Sequence, residues 1–265
     1  MSKEVRMTFR DLVEDVRRCF APLNLDDYEG EFGFVVNSSV DIARVGFATN
    51  LTPVTVKGAR QAGVQALLTH HDAWQFMHEM RADVLSMLAE ASISHCFVHT
   101  PLDAAPFGTA VSLAEEIGLK PHSEFASYEG LPCGRVCDVA PPVALETLAA
   151  RLTAATGAGV RLWQNNPHAI RRVGITTGGG NLTDVLREAA DLGCDTYITG
   201  ETNLYTTQYA RHRGMNLLIG THTHTEFAGV ESLCSELRRQ TGLEFVPIHE
   251  EDGESGTPAA TTASV

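Results

Sequence analysis

Residues 66–72, with the sequence Ala-Leu-Leu-Thr-His-His-Asp, contain the pattern that decides the fold. The apolar residues run directly into two histidines and a carboxylate, which predicts a buried parallel strand ending at His70 and His71. In open α/β sheets, ligands bind at the carboxyl ends of the strands. Neutral imidazoles at such an edge are suitable metal ligands, although two loop histidines without any role would show the same pattern.

Strand and helix patterns alternate along the rest of the chain. The predicted strands are 33–40, 44–49, 66–69, 94–98, 131–139, 159–163, 172–177, 197–201, 216–220 and 243–248. Between most of them lie segments with apolar residues at helical spacing, for example 73–91 and 183–192. This alternation predicts an α/β fold with largely parallel sheets.

Two parts of the chain repeat the same pattern. Arg-Val-Gly at 44–46 recurs at 172–174, and a glycine precedes the next strand with similar spacing in both copies. The alignment pairs His70 and His71 with Gly200 and Glu201, and His99 and Asp103 with His222 and Glu226. We therefore predict two similar lobes that arose by an internal βα duplication, with a cleft between them. The first lobe is expected at 1–125 plus 215–249, the second at 126–214, and a disordered acidic tail at 250–265.

The duplication brings histidines and carboxylates to both sides of the predicted cleft. They are His70, His71, His99, Asp103, Glu201, His222, His224 and Glu226. Nitrogen and oxygen ligands without cysteine suit zinc, iron or manganese. A carboxylate can bridge two ions, and two close cations keep a bridging hydroxide available as a nucleophile near neutral pH.

Four residues, three of them members of this cluster, have predicted supporting roles. Glu201 and Asp72 are candidate catalytic residues that would shuttle protons, or else hydrogen-bond to the metal ligands. His99 is expected to orient a ligand carboxylate, because it shares a loop with Asp103. His224 is expected to face solvent or substrate. Residues 178–180, three glycines after a strand, could cradle a phosphate or form a plain tight turn.

The formal net charge of −13 argues against a nucleic-acid backbone as partner, since such binding needs clustered Lys and Arg. It leaves a small anionic ligand held by a metal open. No apolar run approaches the roughly 20 residues of a membrane span. The amphipathic N-terminal segment lacks an apolar signal core, so we expect a cytoplasmic protein.

Four short motifs give the chain a resemblance to a known family. They are Thr-His-His at 69–71, His-Thr-x-Leu-Asp at 99–103, Thr-Gly-Glu at 199–201, and His222-x3-Glu226 followed two residues later by Gly-Val. Their order resembles that of the dinuclear-metal-centre hexameric proteins, the GTP cyclohydrolase I type 2 homologues or NIF-three-like family. The resemblance implies a two-lobed α/β protein that forms a toroidal homohexamer. It also implies two divalent ions between the lobes, with His70, His71, Asp103, His222 and Glu226 as ligands and with Glu201 and His99 near the site.

Some positions depart from the family pattern. Asp72 stands where a proline usually follows the paired histidines, and Asn50 replaces the aspartate usual after its strand. The N-terminal Asp-x-x-Gly-Leu segment is not recognisable, and a large insertion domain of some bacterial members is absent. These changes border the cleft, so the substrate is not inherited from the resemblance.

Two functions remain at this point. The first is a dinuclear metal-dependent hydrolase that acts on a small molecule, such as a nucleotide or another phosphate- or purine-containing compound. The second is a non-catalytic metal-binding regulatory or interaction protein, in which the ions hold the lobes or a ligand together.

Overall fold

The computed structural model describes residues 5–250, which form two lobes with one sheet each. The first sheet has the spatial order β1 (Phe32–Val35), β4 (Ser94–Val98), β3 (Ala66–His71), β2 (Arg44–Asn50) and β11 (Glu244–Pro247). All neighbours in it are parallel except β1, which is antiparallel to β4. His70 and His71 are therefore the last residues of a central strand, as the sequence predicts.

The second sheet repeats this arrangement with more antiparallel edges. Its order is β5 (Lys120–Tyr128), β6 (Leu131–Val143), β8 (Ile170–Ile175), β9 (Thr196–Thr199), β10 (Asn216–Ile219) and β7 (Arg161–Trp163). The central strands β8, β9 and β10 are parallel, whereas β5, β6 and β7 are paired antiparallel. The parallel core of each sheet thus matches the prediction, and the added strands flank it.

Helices cover both faces of each sheet. They are α1 (Phe9–Cys19), α2 (Pro53–Gln61), α3 (Glu79–Glu90), α4 (Thr100–Ala104), α5 (Thr109–Glu116), α6 (Leu145–Thr156), α7 (Thr183–Asp191), α8 (Leu204–Arg213) and α9 (His222–Thr241). Helices α2 and α3 pack on one face of the first sheet, and α7 and α8 pack on the matching face of the second. Between residues 5 and 250, no helix combines the length and the apolarity that crossing a bilayer requires.

Side chains that tie strand ends together occur at equivalent places in both lobes. Gln65 Oε1 accepts two successive backbone N–H groups at the entrance to β2, and Asp195 Oδ2 accepts two at the start of β8. Ser94 Oγ and Asn216 Oδ1 each accept two successive N–H groups from the segment after β1 or β7. Different residue types make equivalent contacts in the two lobes. This pattern favours an internal duplication whose two copies have since diverged in sequence.

The strand register corrects one part of the predicted alignment. Thr69 pairs with Phe97, and its equivalent Thr199 pairs with Ile219. Counting on from these pairs makes His99 the equivalent of Thr221, and both are the N-caps of the next helix. The predicted equivalence of His99 with His222 is therefore wrong by one residue.

Two helices are exchanged between the lobes. Apolar residues of α9, including Val230 and Leu237, pack on the first sheet beside α1, although α9 follows a strand of the second sheet. Conversely, α5 follows the first sheet but packs with α6 on the second, through residues such as Leu113. The two helices meet where a Cβ on Gly229 would lie 2.6 Å from Thr109 Cα. This exchange carries the first turns of α9 to the ends of the strands in the first lobe.

The sheet boundaries differ from the predicted lobe boundaries. β5 begins at Lys120, and β10 ends at Ile219, and both belong to the second sheet. The chain thus enters the second sheet before residue 126 and returns to the first lobe after Ile219 instead of at residue 215. Of the predicted tail, Glu250 is described and makes specific contacts, while 251–265 lie outside the described residues.

Candidate metal centre

The two histidines at the end of β3 are buried and held in one orientation. His70 Nδ1 lies 2.9 Å from the carbonyl oxygen of Val98, and His71 Nδ1 lies 2.8 Å from Asn50 Oδ1. Both partners are acceptors, so each Nδ1 carries the proton and donates it. In the neutral rings, each Nε2 is then left with a lone pair for coordination.

The first turns of α9 contribute His222 and Glu226. His222 Nε2 lies 3.3 Å from Glu226 Oε1, and His71 Nε2 lies 3.4 Å from Glu226 Oε2. His222 Nδ1 is 2.6 Å from Glu201 Oε1, so this ring also directs Nε2 toward the cluster. The carboxylate of Glu226 is buried between the lobes.

Helix α4 and its N-cap contribute Asp103 and His99. Asp103 Oδ1 lies 3.4 Å from His70 Nε2 and accepts a hydrogen bond from the Thr109 hydroxyl at 2.7 Å. His99 Nδ1 is 2.5 Å from Glu31 Oε2, which the backbone N–H and hydroxyl of Thr100 also contact. Thus His99 is oriented by Glu31 and makes no side-chain hydrogen bond to Asp103, contrary to its predicted role.

These six residues form three overlapping groups that can hold a metal. The groups, each with ligand atoms within 4.8 Å of one another, are His70–Asp103–Glu226, His71–His222–Glu226 and His70–His71–His99. All five predicted ligands are therefore brought together, and His99 joins them. The sequence predicts only a supporting role for His99, because it shares a loop with Asp103.

Two buried atoms show that the cluster suits a cation. Among the described residues, His70 Nε2 and Glu226 Oε2 are buried without a hydrogen-bond partner. Leaving such atoms unsatisfied costs free energy, and a metal ion would satisfy both the lone pair and the carboxylate oxygen. The donors are imidazole nitrogens and carboxylate oxygens, which zinc, iron and manganese accept.

The charges in the cluster depend strongly on one another. Burial opposes ionisation of Glu226, but the attraction of His71, His222 and His70 keeps the pKa of its carboxyl well below the usual range. Burial likewise opposes charging of His222, yet Glu226 and Glu201 raise its pKa to about 10. A metal must displace that proton, so we expect metal binding to release protons and to weaken at low pH.

The remaining predicted residues lie around this cluster in different ways. Glu201 accepts from Asn181 as well as His222, so it is placed to position His222. Asp72 is paired with Arg81 at 2.5 Å and is not in any of the three groups. His224 Nδ1 lies 2.5 Å from the Thr221 hydroxyl, and its side chain lines a separate cavity of about 470 Å³. The structure thus brings only Glu201 into direct contact with a candidate ligand.

Two supporting residues, Glu31 and Glu250, were not identified from the sequence, and a third, Gly178, was noted there only as part of a glycine run. Glu31 lies just before β1 and reaches His99 from there. Glu250 lies over the end of β2. Its carboxylate accepts two hydrogen bonds from Asn50, one from the backbone N–H at 3.0 Å and one from the side-chain amide at 2.7 Å. Gly178 has a φ of +58°, and a Cβ there would overlap Glu226 Oε1. The three-glycine segment is therefore a turn packed against the cluster, which agrees with the plain tight turn that the sequence offered as one alternative.

Glu31 allows a test of the His99 contact through pH. Although burial opposes it, the hydrogen bonds from His99 and Thr100 lower the pKa of Glu31 from 4.5 to about 2. A lowered carboxyl pKa stabilises the fold above pH 4.5, and this contribution is lost as the pH falls toward 2. We expect the free energy of unfolding of wild type to exceed that of Glu31→Gln at pH 7, and the difference to shrink below pH 4.5.

Urea denaturation at several pH values measures this difference. Glu29→Gln removes an exposed carboxylate from the same loop and controls for the change in net charge. A difference between wild type and Glu31→Gln that stays constant from pH 7 to pH 2.5 would contradict the proposed contact.

Fold and site together define a two-lobed α/β protein with a candidate metal centre between its lobes. Comparison with known proteins identifies the family: the model of the Duf34/NIF3 (NGG1p interacting factor 3) family matches residues 7–253. The chain belongs to this family, and the resemblance seen in the sequence motifs is confirmed.

Relatives and solved structures extend this comparison. A protein of Archaeoglobus fulgidus named GTP cyclohydrolase 1 type 2 homolog is 27% identical over 243 residues, covering 89% of this chain and 96% of that protein. A Halobacterium salinarum protein of the same name is 29% identical over 200 residues, covering 72% and 78%. The structure titled ybgI, of unknown function, has a TM-score of 0.80 at 24% identity and covers 92% of this chain and 99% of that one. This structure supports the fold alone.

Proposed function

We propose that the protein is a metal-dependent hydrolase that acts on a small molecule at a centre of two divalent ions. The observation that carries this proposal is the position of Glu226, which belongs to two of the three ligand groups. A carboxylate has two oxygens and can serve two ions at once, whereas an imidazole Nε2 serves one. One ion would be held by His70, Asp103 and Glu226, and the other by His71, His222 and Glu226.

The residues around these groups have separate tasks in this proposal. Two divalent ions would supply Lewis acidity and a water of lowered pKa. Glu201 holds the Nδ1 proton of His222 and thereby aims its Nε2 at the centre. His99 lines the adjoining cleft with Nδ1 committed to Glu31, so its Nε2 is the atom that can exchange a proton with a reacting group or coordinate an ion.

Asp103→Asn tests the hydrolase directly. The amide keeps the shape of the side chain and can still accept from Thr109, but it removes one negative charge from the centre. We expect turnover to fall by about 100-fold or more, with an unchanged circular dichroism spectrum. The measurement is turnover of nucleotide, phosphoester and amide substrates by protein loaded in turn with Zn²⁺, Mn²⁺ and Fe²⁺.

Asp83→Asn, an exposed change on α3, is the matched control and should leave turnover unaltered. Fully metal-loaded wild type that turns over none of these substrates would contradict the proposal. If the same metals then raise the melting temperature strongly, the ions serve binding or assembly instead of catalysis.

A further inference from the structure

A cavity of about 770 Å³ opens beside the metal centre, and its wall is largely apolar. The apolar lining residues come from the segments that follow β2 and β3, including the first turns of α2 and α3: Leu51, Pro53, Val54, Trp74, Met77 and Met80. Polar groups of Asn50, Thr52 and Thr223 line it as well, and His71, His99 and His222 face it from the centre. The volume suits a molecule of nucleoside size.

The lining contains no fixed positive charge. Among the described residues that border the cavity, there is no Lys or Arg, and the charged ones are Asp72, Glu201 and Glu250. The nearby Arg81 donates to Asp72 and to the carbonyl oxygen of Ala73, so its charge is already neutralised. Away from the metal ligands, a polyanionic ligand would therefore meet acidic and apolar surface.

Two backbone features that could bind phosphate are also occupied. Helix α2 begins at the cavity, but Pro53 has no N–H and the N–H of Thr55 is capped by the Thr52 hydroxyl. The N–H of Gly178 donates to the Thr225 hydroxyl at 3.1 Å, so this N–H is already used within the fold. Beyond what a metal ion binds, a triphosphate is normally held by such N–H groups or by Arg and Lys side chains.

Trp74 gives the apolar wall a defined shape. Its ring packs edge-on against His99 at 5.3 Å and against Phe97 at 5.5 Å between centroids, so it is supported on two sides. The thioethers of Met77 and Met80 border the same cavity. Polarisable aromatic and thioether surfaces bind the faces of planar rings well.

We propose that this cleft selects an uncharged planar nitrogen heterocycle, such as a nucleobase or nucleoside, over its phosphate esters, with Trp74 and Met77 as specificity-determining residues. This inference rests on the proposed function, because the ring would lie beside the centre that acts on it. It narrows the expected substrate from nucleotide or purine compounds in general to an uncharged nucleobase or nucleoside.

Tryptophan fluorescence tests the proposal without any need for turnover. The chain has two tryptophans, so Trp163→Phe leaves Trp74 as the sole reporter. In Zn²⁺-loaded protein, guanosine should quench Trp74 saturably, and GTP should bind at least tenfold more weakly. Equal or tighter binding of GTP, or no saturable quenching by guanosine, would overturn the proposal.

Three variants in the wild-type background locate the binding surface by isothermal calorimetry with guanosine and GTP. Trp74→Leu should weaken guanosine binding about tenfold, whereas Phe76→Leu should not, because Phe76, two residues further along the chain, is 68% exposed and does not line the cavity. Val54→Arg adds a cation to the wall and should shift the preference toward GTP. Equal effects of the Trp74 and Phe76 changes would refute the assignment.

The two proposals can fail separately. Turnover of GTP together with binding tighter than that of guanosine would refute this selectivity and keep the hydrolase. Selective binding of guanosine with no turnover of any substrate would refute the hydrolase and keep the selectivity.

Discussion

Glu226→Gln is expected to abolish tight binding of both metal ions while both lobes stay folded. The side chain is shared by two ligand groups, so one substitution removes a carboxylate charge from both and leaves Asp103 as the one carboxylate in the three groups. Affinity for each ion should fall by at least about 100-fold, since even partners outside the ligand set typically contribute 10–100-fold. The protein without metal should tolerate the change, because His222 can lose its proton once the adjacent carboxylate is gone.

Elemental analysis after dialysis and calorimetric titration with Zn²⁺ measure this loss. Glu231→Gln lies on the same helix, is exposed and is outside the three groups, so it should retain two ions per chain. Retention of one full equivalent of metal by Glu226→Gln would show that the carboxylate is not shared.

Gly178→Ala should cause the second large effect, on stability and metal binding together. Gly178 has a φ of +58°, where an L-residue costs about 1–2 kcal/mol, and the added Cβ would overlap Glu226 Oε1 and lie 2.8 Å from His222 Nε2. Overpacking typically adds about 1–3 kcal/mol. We expect the free energy of unfolding to fall by about 2–5 kcal/mol and the metal content to fall with it.

Gly157→Ala separates the two causes of this effect. Gly157 has a φ of +66°, but nothing lies within 4 Å of a Cβ placed there. It should show only the backbone cost of about 1–2 kcal/mol and bind metal normally. Similar losses in both variants, as measured by urea denaturation and Zn²⁺ titration, would mean that the contact with Glu226 contributes nothing.

The central strands and the ligands at their ends were predictable from local pattern. Burial of the apolar run at 66–69 requires a strand, and a strand in a parallel sheet must present His70 and His71 at its carboxyl end. Helix α2 has an equally local origin, because Thr52 and Pro53 are a typical helix start and the Thr52 hydroxyl caps the helix. These features depend on neighbours in the chain.

Contacts between distant segments could not be predicted in the same way. Nothing near Glu31 indicates that it will meet His99, 68 residues away, or that Glu250 will reach Asn50, 200 residues away. Asp72 adjoins the paired histidines, but β3 ends at His71, and the carboxylate of Asp72 pairs with Arg81 instead. The strand β5 was missed because Lys120–Tyr128 is largely exposed and lacks a clear apolar alternation.

Because α5 and α9 are exchanged, neither half of the chain can cover its own sheet alone. Neither half of the chain contains both helices that cover the inner face of its own sheet. Two separate copies of one half could cover their sheets only as a domain-swapped dimer, with identical side chains at both strand ends. Joining the halves makes the swap intramolecular, and the two strand ends can then carry different side chains. His70 stands at the end of the strand in one half. Its equivalent in the other half is Gly200, which packs against the backbone of His222.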